Sequence, residues 1–206
     1  MAHRTWVVAL VVALVMALTL RLTYGKALGS FPMTSRRLWT LWSIALTATI
    51  AILLARLAPL EAVLAARGHG IVDLELAWTA QQFTEITTAW GAEGVTAART
   101  QTLWDFAWIP SYALTLWASL KLSLRSATGT LARRGAQVAA LIPVAAGCDV
   151  VENIALLLGL GDGPRAILAP LASAMATVKF AILLAAIVVL LACLVARLHR
   201  RPTLTP

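Results

Sequence analysis

The sequence predicts an all-α protein, a polytopic membrane helical bundle of five transmembrane helices with an additional amphipathic helix outside the cytoplasm. Three observations favour this fold class. The 206 residues are 60% hydrophobic and only 13% charged, whereas a soluble domain is about 45–50% apolar and about 25% charged. Several apolar runs reach the roughly 20 residues that a helix needs to cross a bilayer. Basic residues are concentrated in alternate connections, as is typical of membrane proteins.

The predicted spans divide the chain, which forms a single integral membrane domain. They are placed at about residues 5–23, 38–57, 103–124, 135–160 and 166–196. The first run follows a basic start, as a signal peptide does, but Arg21 and Lys26 follow it without a clear cleavage site. A retained first helix is therefore favoured over a cleaved one. The tail, residues 198–206, is expected to be disordered.

The segment 58–102 is more polar and is predicted to lie outside the cytoplasm. A short helix at Leu60–Arg67 is stopped by the glycines at positions 68 and 70. From Ile71 to Trp90, apolar residues recur at helical spacing opposite a polar side, which predicts an amphipathic helix. Such a helix lies on the membrane surface or folds over the mouth of the bundle.

The basic residues predict the orientation. Two connections and the tail hold eleven basic residues and no acid: Arg21, Lys26, Arg36, Arg37, Lys121, Arg125, Arg133, Arg134, Arg197, Arg200 and Arg201. The positive-inside rule assigns them to the cytoplasmic side, so five spans give an outside N-terminus and a cytoplasmic C-terminus. Arginine outnumbers lysine by 14 to 3, which favours a GC-rich bacterial genome and hence the bacterial cytoplasmic (inner) membrane.

The candidate site is centred on the fourth span, where Asp149, Glu152 and Asn153 interrupt an apolar run. Their i, i+3, i+4 spacing places all three side chains on one helix face. An ionised side chain near the bilayer centre costs roughly 2.5–3.5 kcal/mol on insertion scales. That face is therefore expected to meet protein or a hydrated cavity rather than lipid.

Lys179 in the fifth span is the expected counter-charge. Counted from the turn between the two spans, Asp149 lies ~16 Å and Lys179 ~20 Å into the membrane, so the two can meet. On the third span, Asp105 and Tyr112 share a face, with Trp108 between them and with Pro110, which predicts a kink. These groups would form a polar funnel that opens outward.

The assignment of site residues follows from this funnel. Asp149, Glu152, Lys179 and Asp105 are the candidate catalytic residues. Asn153, Tyr112 and Trp108 are the candidate substrate-binding residues. The alternative is a purely structural ion pair between the last two spans, because intramembrane charges usually pair with one another. One lysine cannot neutralise three carboxylates, however, and excess buried acid favours proton exchange.

The sequence is compatible with three functional hypotheses. The favoured one is acid/base chemistry on a membrane lipid or isoprenoid, with Glu152 or Asp149 as acid or base and Lys179 orienting it. The others are a small proton-coupled carrier and an accessory subunit of a larger homo- or hetero-oligomeric complex. An enzyme should have a lipid-sized apolar cavity beside Glu152, whereas a subunit should expose Glu152 on an empty flank.

Other chemistries find less support in the sequence. Cys148 and Cys193 lie in apolar runs without paired spacing, so neither a disulfide nor a metal site is expected. The sequence Gly159–Arg165 is rich in glycine, but it lacks the Lys-Ser/Thr of a phosphate loop. The net charge of +8 is explained by the membrane topology, and no nucleic-acid partner or cofactor is expected.

Overall fold

The structure, a computed structural model, describes residues 33–199, and every regular element in this range is a helix. The bundle begins with α1 (Ser35–Ile52), a π-helical turn (Leu53–Leu57) and α2 (Ala58–Ala65), followed by α3 (Ile71–Glu75). Three long helices complete it: α4 (Ala80–Leu124), α5 (Gly129–Gly159) and α6 (Arg165–His199). The predicted first span and residues 200–206 of the predicted tail lie outside the described residues.

Three of the helical segments are long and apolar enough to cross a membrane. They are Ser35–Ala65, Gly129–Gly159 and Arg165–His199, which correspond to the second, fourth and fifth predicted spans. Large apolar side chains such as Ile44, Leu184 and Val188 are more than half exposed, as expected where a surface faces lipid rather than water. The count of five spans stays a prediction, because the third predicted span belongs to α4, which is not among these three segments.

The second predicted span continues further than its predicted end at residue 57. The segment that includes Pro59 was predicted to be a separate region, but Pro59 lies inside the helical segment that runs from α1 through the π-helical turn into α2, although its missing N–H removes one helical hydrogen bond. The π-helical turn joins α1 to α2 without a loop. Single π-helical turns inside α-helices often occur at functional sites, and this one lines the cavity described below.

The predicted helix from Ile71 to Trp90 is divided in the structure. Its first part is α3, and α4 begins only at Ala80, where the Thr79 side chain accepts a hydrogen bond from Gln82 N at 3.1 Å. A Thr at this position satisfies one of the free N–H groups of the first helical turn. The start of α4 buries Phe83 and Trp90 against protein. Its location at the membrane surface stays a prediction.

The long helix α4 is interrupted at Gly91, where φ is +63° and ψ is −171°. This conformation is restricted almost entirely to glycine. Arg67 Nη1 donates to the Trp90 carbonyl at 2.8 Å, and Trp90 Nε1 donates to the His69 carbonyl at 2.8 Å. The break in helical dihedrals therefore lies at Gly91 and is tied to the loop before α3, whereas Pro110 lies within a helical stretch.

Helices α5 and α6 form the most extensive helix pair of the bundle. Small residues line their contact: Ala145 and Ala146 on α5 and Ala172 and Ala176 on α6 are all buried. Small side chains let membrane helices approach closely. This packing brings Asp149 and Lys179 to the same depth, and α4 lies against both helices.

Candidate functional site

A four-residue ionic cluster lies at the centre of the bundle. Lys179 Nζ is 2.9 Å from Asp149 Oδ1 and 2.8 Å from Glu152 Oε2. It is also 3.4 Å from Glu75 Oε2. Lys179, Asp149 and Glu152 are buried, with exposures of 5%, 1% and 0%. The expected pairing of Asp149 with Lys179 is therefore present, and a third carboxyl joins it from outside the predicted spans.

Glu75 reaches this cluster because α3 is anchored at its first residue. Ile71 N donates to the Glu61 carboxylate at 3.1 Å, and Gly70 N donates to Asp73 Oδ2 at 2.8 Å. These bonds satisfy backbone N–H groups at the start of α3. The last residue of α3 then contacts Lys179 on α6. Burial raises the pKa of the Glu75 carboxyl, against the opposing effect of the Lys179 charge.

Two hydrogen bonds connect the cluster to α4. Tyr112 Oη donates to Asp149 Oδ2 at 2.7 Å, and Asn153 Nδ2 donates to Asp105 Oδ2 at 2.6 Å. Hydrogen bonds to ionised groups are short and strong. Asp105 and Tyr112 therefore share a face as expected, and each side chain contacts a residue of the acidic face of α5.

Trp108 lies beside these contacts. Its indole Nε1 donates to the Thr49 carbonyl of α1 at 3.1 Å. The centroid of its ring lies 4.8 Å from the centroid of the Tyr112 ring. The tilted arrangement of the two rings is a favourable aromatic pairing. All seven predicted site residues thus lie in one region, but their functional roles stay predictions.

A cavity of about 420 Å³ adjoins the cluster. Its walls are largely apolar and include Leu53, Leu57, Val72, Phe180 and Leu183. In the described part of the chain it reaches the surface at Leu53 and Val72, which are 39% and 47% exposed. This volume is within the usual range for small-molecule sites.

The polar side of the cavity differs from the predicted one. Asp149, Lys179, Asp105, Asn153, Tyr112 and Trp108 line it, but Glu152 does not. Glu152 is fully buried, and both its oxygens lie within 2.9 Å of the Lys179 ammonium. The cavity therefore adjoins Asp149 and Lys179 and not, as had been expected, Glu152, because the carboxyl of Glu152 is directed to the lysine.

Three lining residues were missed by sequence reasoning: Glu61, Glu75 and Gln101. Gln101 Nε2 donates to Glu61 Oε2 at 3.1 Å, which links α4 to α2. For Glu61 the sequence offers a local indication of a site residue, because it is an acid within the apolar run of α2. No local signal identified Glu75, since its neighbour Asp73 is equally acidic but exposed.

Among residues 33–199, no group of three or more histidine, cysteine, aspartate and glutamate side chains is arranged to hold a metal ion. The cavity offers instead several carboxyls, one ammonium and amide and phenol groups beside an apolar volume. Such an arrangement can bind an amphiphile and can give or take a proton at its polar end.

Fold and site together define a class, an α-helical membrane protein with a buried ionic cluster beside an apolar cavity. Comparisons of this chain with protein-family models, curated proteins and solved structures give no match. Function is therefore inferred from the geometry of the site.

Proposed function

We propose that this protein binds a lipid or isoprenoid in the 420 Å³ cavity and carries out acid/base chemistry at the polar end of that molecule. The observation that carries the proposal is the position of Lys179, with Asp149 and Glu75, on the wall of a largely apolar cavity. Apolar walls with a few converging polar groups are typical of ligand sites. A purely structural ion pair would need no such cavity.

The residues divide into two groups in this proposal. Glu75, Asp105 and Asp149 line the cavity and are the candidate acids or bases. Glu152 contacts Lys179 but does not line the cavity, and it acts as a positioning residue. Burial raises the pKa of the Glu75 carboxyl, which favours its protonated form and hence a role as general acid.

The same groups support a second candidate, a small proton-coupled carrier. Glu75, Lys179, Asp149 and Tyr112 form a continuous chain of contacts, and such chains serve as proton relays in transporters. An accessory subunit of an oligomeric complex has less support, since Glu152 faces Lys179 rather than an empty flank.

We propose the bacterial cytoplasmic membrane as the location, with the C-terminus in the cytoplasm. The ends of α4 and α6 that carry Arg125 and Arg197 lie at the same end of the bundle, near Ser35 and Ser126. Glu61 and Glu75 lie on segments between the other ends of α1 and α4. This separation of charge supports the orientation that the positive-inside rule predicts.

The test is purification in native-lipid nanodiscs, followed by mass spectrometry of the retained lipids. Ala58 lines the cavity mouth, and Ala65 is an exposed residue of the same helix that does not line it. We expect wild type and Ala65→Trp to retain a specific amphiphile, and Ala58→Trp to lose it. Equal lipid content in all three proteins would contradict a ligand in this cavity.

The proposed acid/base chemistry on the bound molecule is tested with the same nanodisc preparation. On incubation of membranes, the wild-type protein should convert the retained molecule, whereas Glu75→Gln and Asp105→Asn, which keep the Lys179 ammonium in place, should retain it unchanged. Glu85→Gln is the matched control, because Glu85 is exposed and does not line the cavity. Full conversion by both site variants would contradict the acid/base role and favour a binding protein.

A further inference from the structure

Acidic side chains outnumber basic ones on the walls of the cavity. Lys179 is the one cation among its lining residues in the described part of the chain. Its ammonium is already held by Asp149 at 2.9 Å and by Glu152 at 2.8 Å. The carboxyls of Glu61, Glu75 and Asp105 also line the cavity, so an occupant meets an excess of acid there.

Gln101 provides an independent sign of a missing donor. Its side chain lines the cavity and is only 6% exposed. Nε2 donates to Glu61 Oε2 at 3.1 Å, which fixes the orientation of the amide. The other amide atom, Oε1, is buried and has no hydrogen-bond partner among the described residues. Buried polar atoms are rarely left unpaired, so we expect this oxygen to accept a hydrogen bond from a ligand.

We propose that the occupant of the cavity is an amphiphile with a primary ammonium headgroup. The inference rests on the proposed function and specifies the class of ligand for the same site. An ammonium group supplies positive charge to the carboxyls and N–H donors to Gln101 Oε1. The hydrocarbon chain then lies along Phe180 and Leu183.

Other headgroups fit this wall less well. A phosphate or carboxylate would be placed among like charges. A neutral hydroxyl could donate to Gln101 but would leave the carboxyls without a counter-charge. A trimethylammonium group carries the charge but has no N–H to donate. Of the headgroups compared, only the primary ammonium provides both a positive charge for the carboxyls and an N–H donor for the unpaired amide oxygen.

The experiment measures binding of defined probes to the full chain in phosphatidylcholine nanodiscs. Dodecylamine and dodecyltrimethylammonium form the first pair, and dodecanol and dodecyl phosphate are the neutral and anionic comparisons. A second pair, lysophosphatidylethanolamine and lysophosphatidylcholine, distinguishes a phospholipid headgroup from a simple long-chain amine. Affinities are obtained by titration and native mass spectrometry.

We expect dodecylamine to bind about tenfold more tightly than dodecyltrimethylammonium, as for loss of a charge-assisted hydrogen bond. Gln101→Met and Asp105→Asn should each reduce this preference. Glu85→Gln removes an acid of similar type outside the cavity and should leave the preference unchanged. Because wild type alone gives the paired comparison, the result does not depend on the folding of any variant.

Two contrary results have different meanings. Equal affinity of wild type for the two dodecyl cations, or a preference for dodecanol or dodecyl phosphate, would overturn the headgroup inference. If Ala58→Trp still abolished binding of those probes, the cavity would remain an amphiphile site. If Ala58→Trp changed the binding of no probe, the headgroup inference and the proposed function would both fail.

Discussion

Lys179 Nζ lies 3.4 Å from Glu75 Oε2, although the two residues are 104 positions apart in the sequence. Glu75 belongs to a short helix between the candidate spans, and Lys179 lies in the middle of α6. The contact joins a segment predicted to lie outside the membrane to the buried ionic cluster. It also places a carboxyl with a raised pKa on the wall of the cavity.

Replacement of Lys179 by methionine should strongly destabilise the protein. The change leaves Asp149, Glu152 and Glu75 without their shared cation, and breaking a buried ion pair in this way costs about 3–5 kcal/mol. Denaturant unfolding in detergent measures the loss. Lys121→Met is the control, because Lys121 is exposed and contacts the Trp117 ring at 5.7 Å. Equal stability of both variants would contradict the role of the cluster.

Asp149→Asn should cost less than Lys179→Met. From the sequence, neutralising Asp149 was expected to leave Lys179 without a counter-charge. In the structure Lys179 keeps Glu152 at 2.8 Å, so the expected cost is that of one charged hydrogen bond, about 1.5–3 kcal/mol. A larger loss than that of Lys179→Met in the same unfolding assay would show that Asp149 is the dominant partner.

The raised pKa of Glu75 predicts a pH dependence. The folded protein holds the Glu75 proton at pH values where the unfolded chain, with an ordinary pKa of 4.5, has released it. This contribution to stability is fully present below 4.5 and is lost as the pH rises through the folded pKa. Relative to Glu75→Gln, wild-type stability should therefore fall with rising pH, by at most about 1.4 kcal/mol per unit.

Melting temperatures of wild type and Glu75→Gln from about pH 4 to about pH 9 check this expectation. Lys179, Asp149, Glu152 and Asp105 are the charged groups that interact with Glu75, and both proteins contain them. The comparison therefore isolates the Glu75 carboxyl. A difference that is constant over this range, or that changes in favour of wild type, would contradict the raised pKa.

Gly91→Ala should destabilise the break in α4. A side chain at φ +63° and ψ −171° is strained by about 1–3 kcal/mol. Gly147→Ala is the matched control, since Gly147 is helical and an added Cβ meets nothing within 4 Å. That control should be neutral or slightly stabilising. Thermal unfolding of the two variants gives the comparison, and equal stability would contradict the strained conformation.

The proposed orientation predicts the side of the membrane that each segment faces. A cytoplasm-dependent reporter fused after the tail should be active, whereas the same reporter inserted at Gly68, in the turn before α3, should be inactive. A periplasm-dependent reporter at the same two positions should give the opposite pattern. Activity of the cytoplasmic reporter at Gly68 would reverse the assignment of sides.

Local sequence patterns determined the membrane class and the core of the cluster. Apolar runs predict spanning helices because the bilayer requires about 20 apolar residues per helix. The spacing of Asp149, Glu152 and Asn153 predicts a shared face because the helical repeat is fixed. Lys179 followed as the cation at matching depth, and its contacts with both acids are present.

Only the tertiary structure decided which groups face the cavity. Glu61, Glu75 and Gln101 join the site through contacts between elements far apart in the chain, which no periodicity encodes. Glu152 turns toward Lys179 rather than the cavity because the packing of α5 on α6 fixes its direction. The sequence determines which residues share a helix face, whereas packing between helices determines what that face meets.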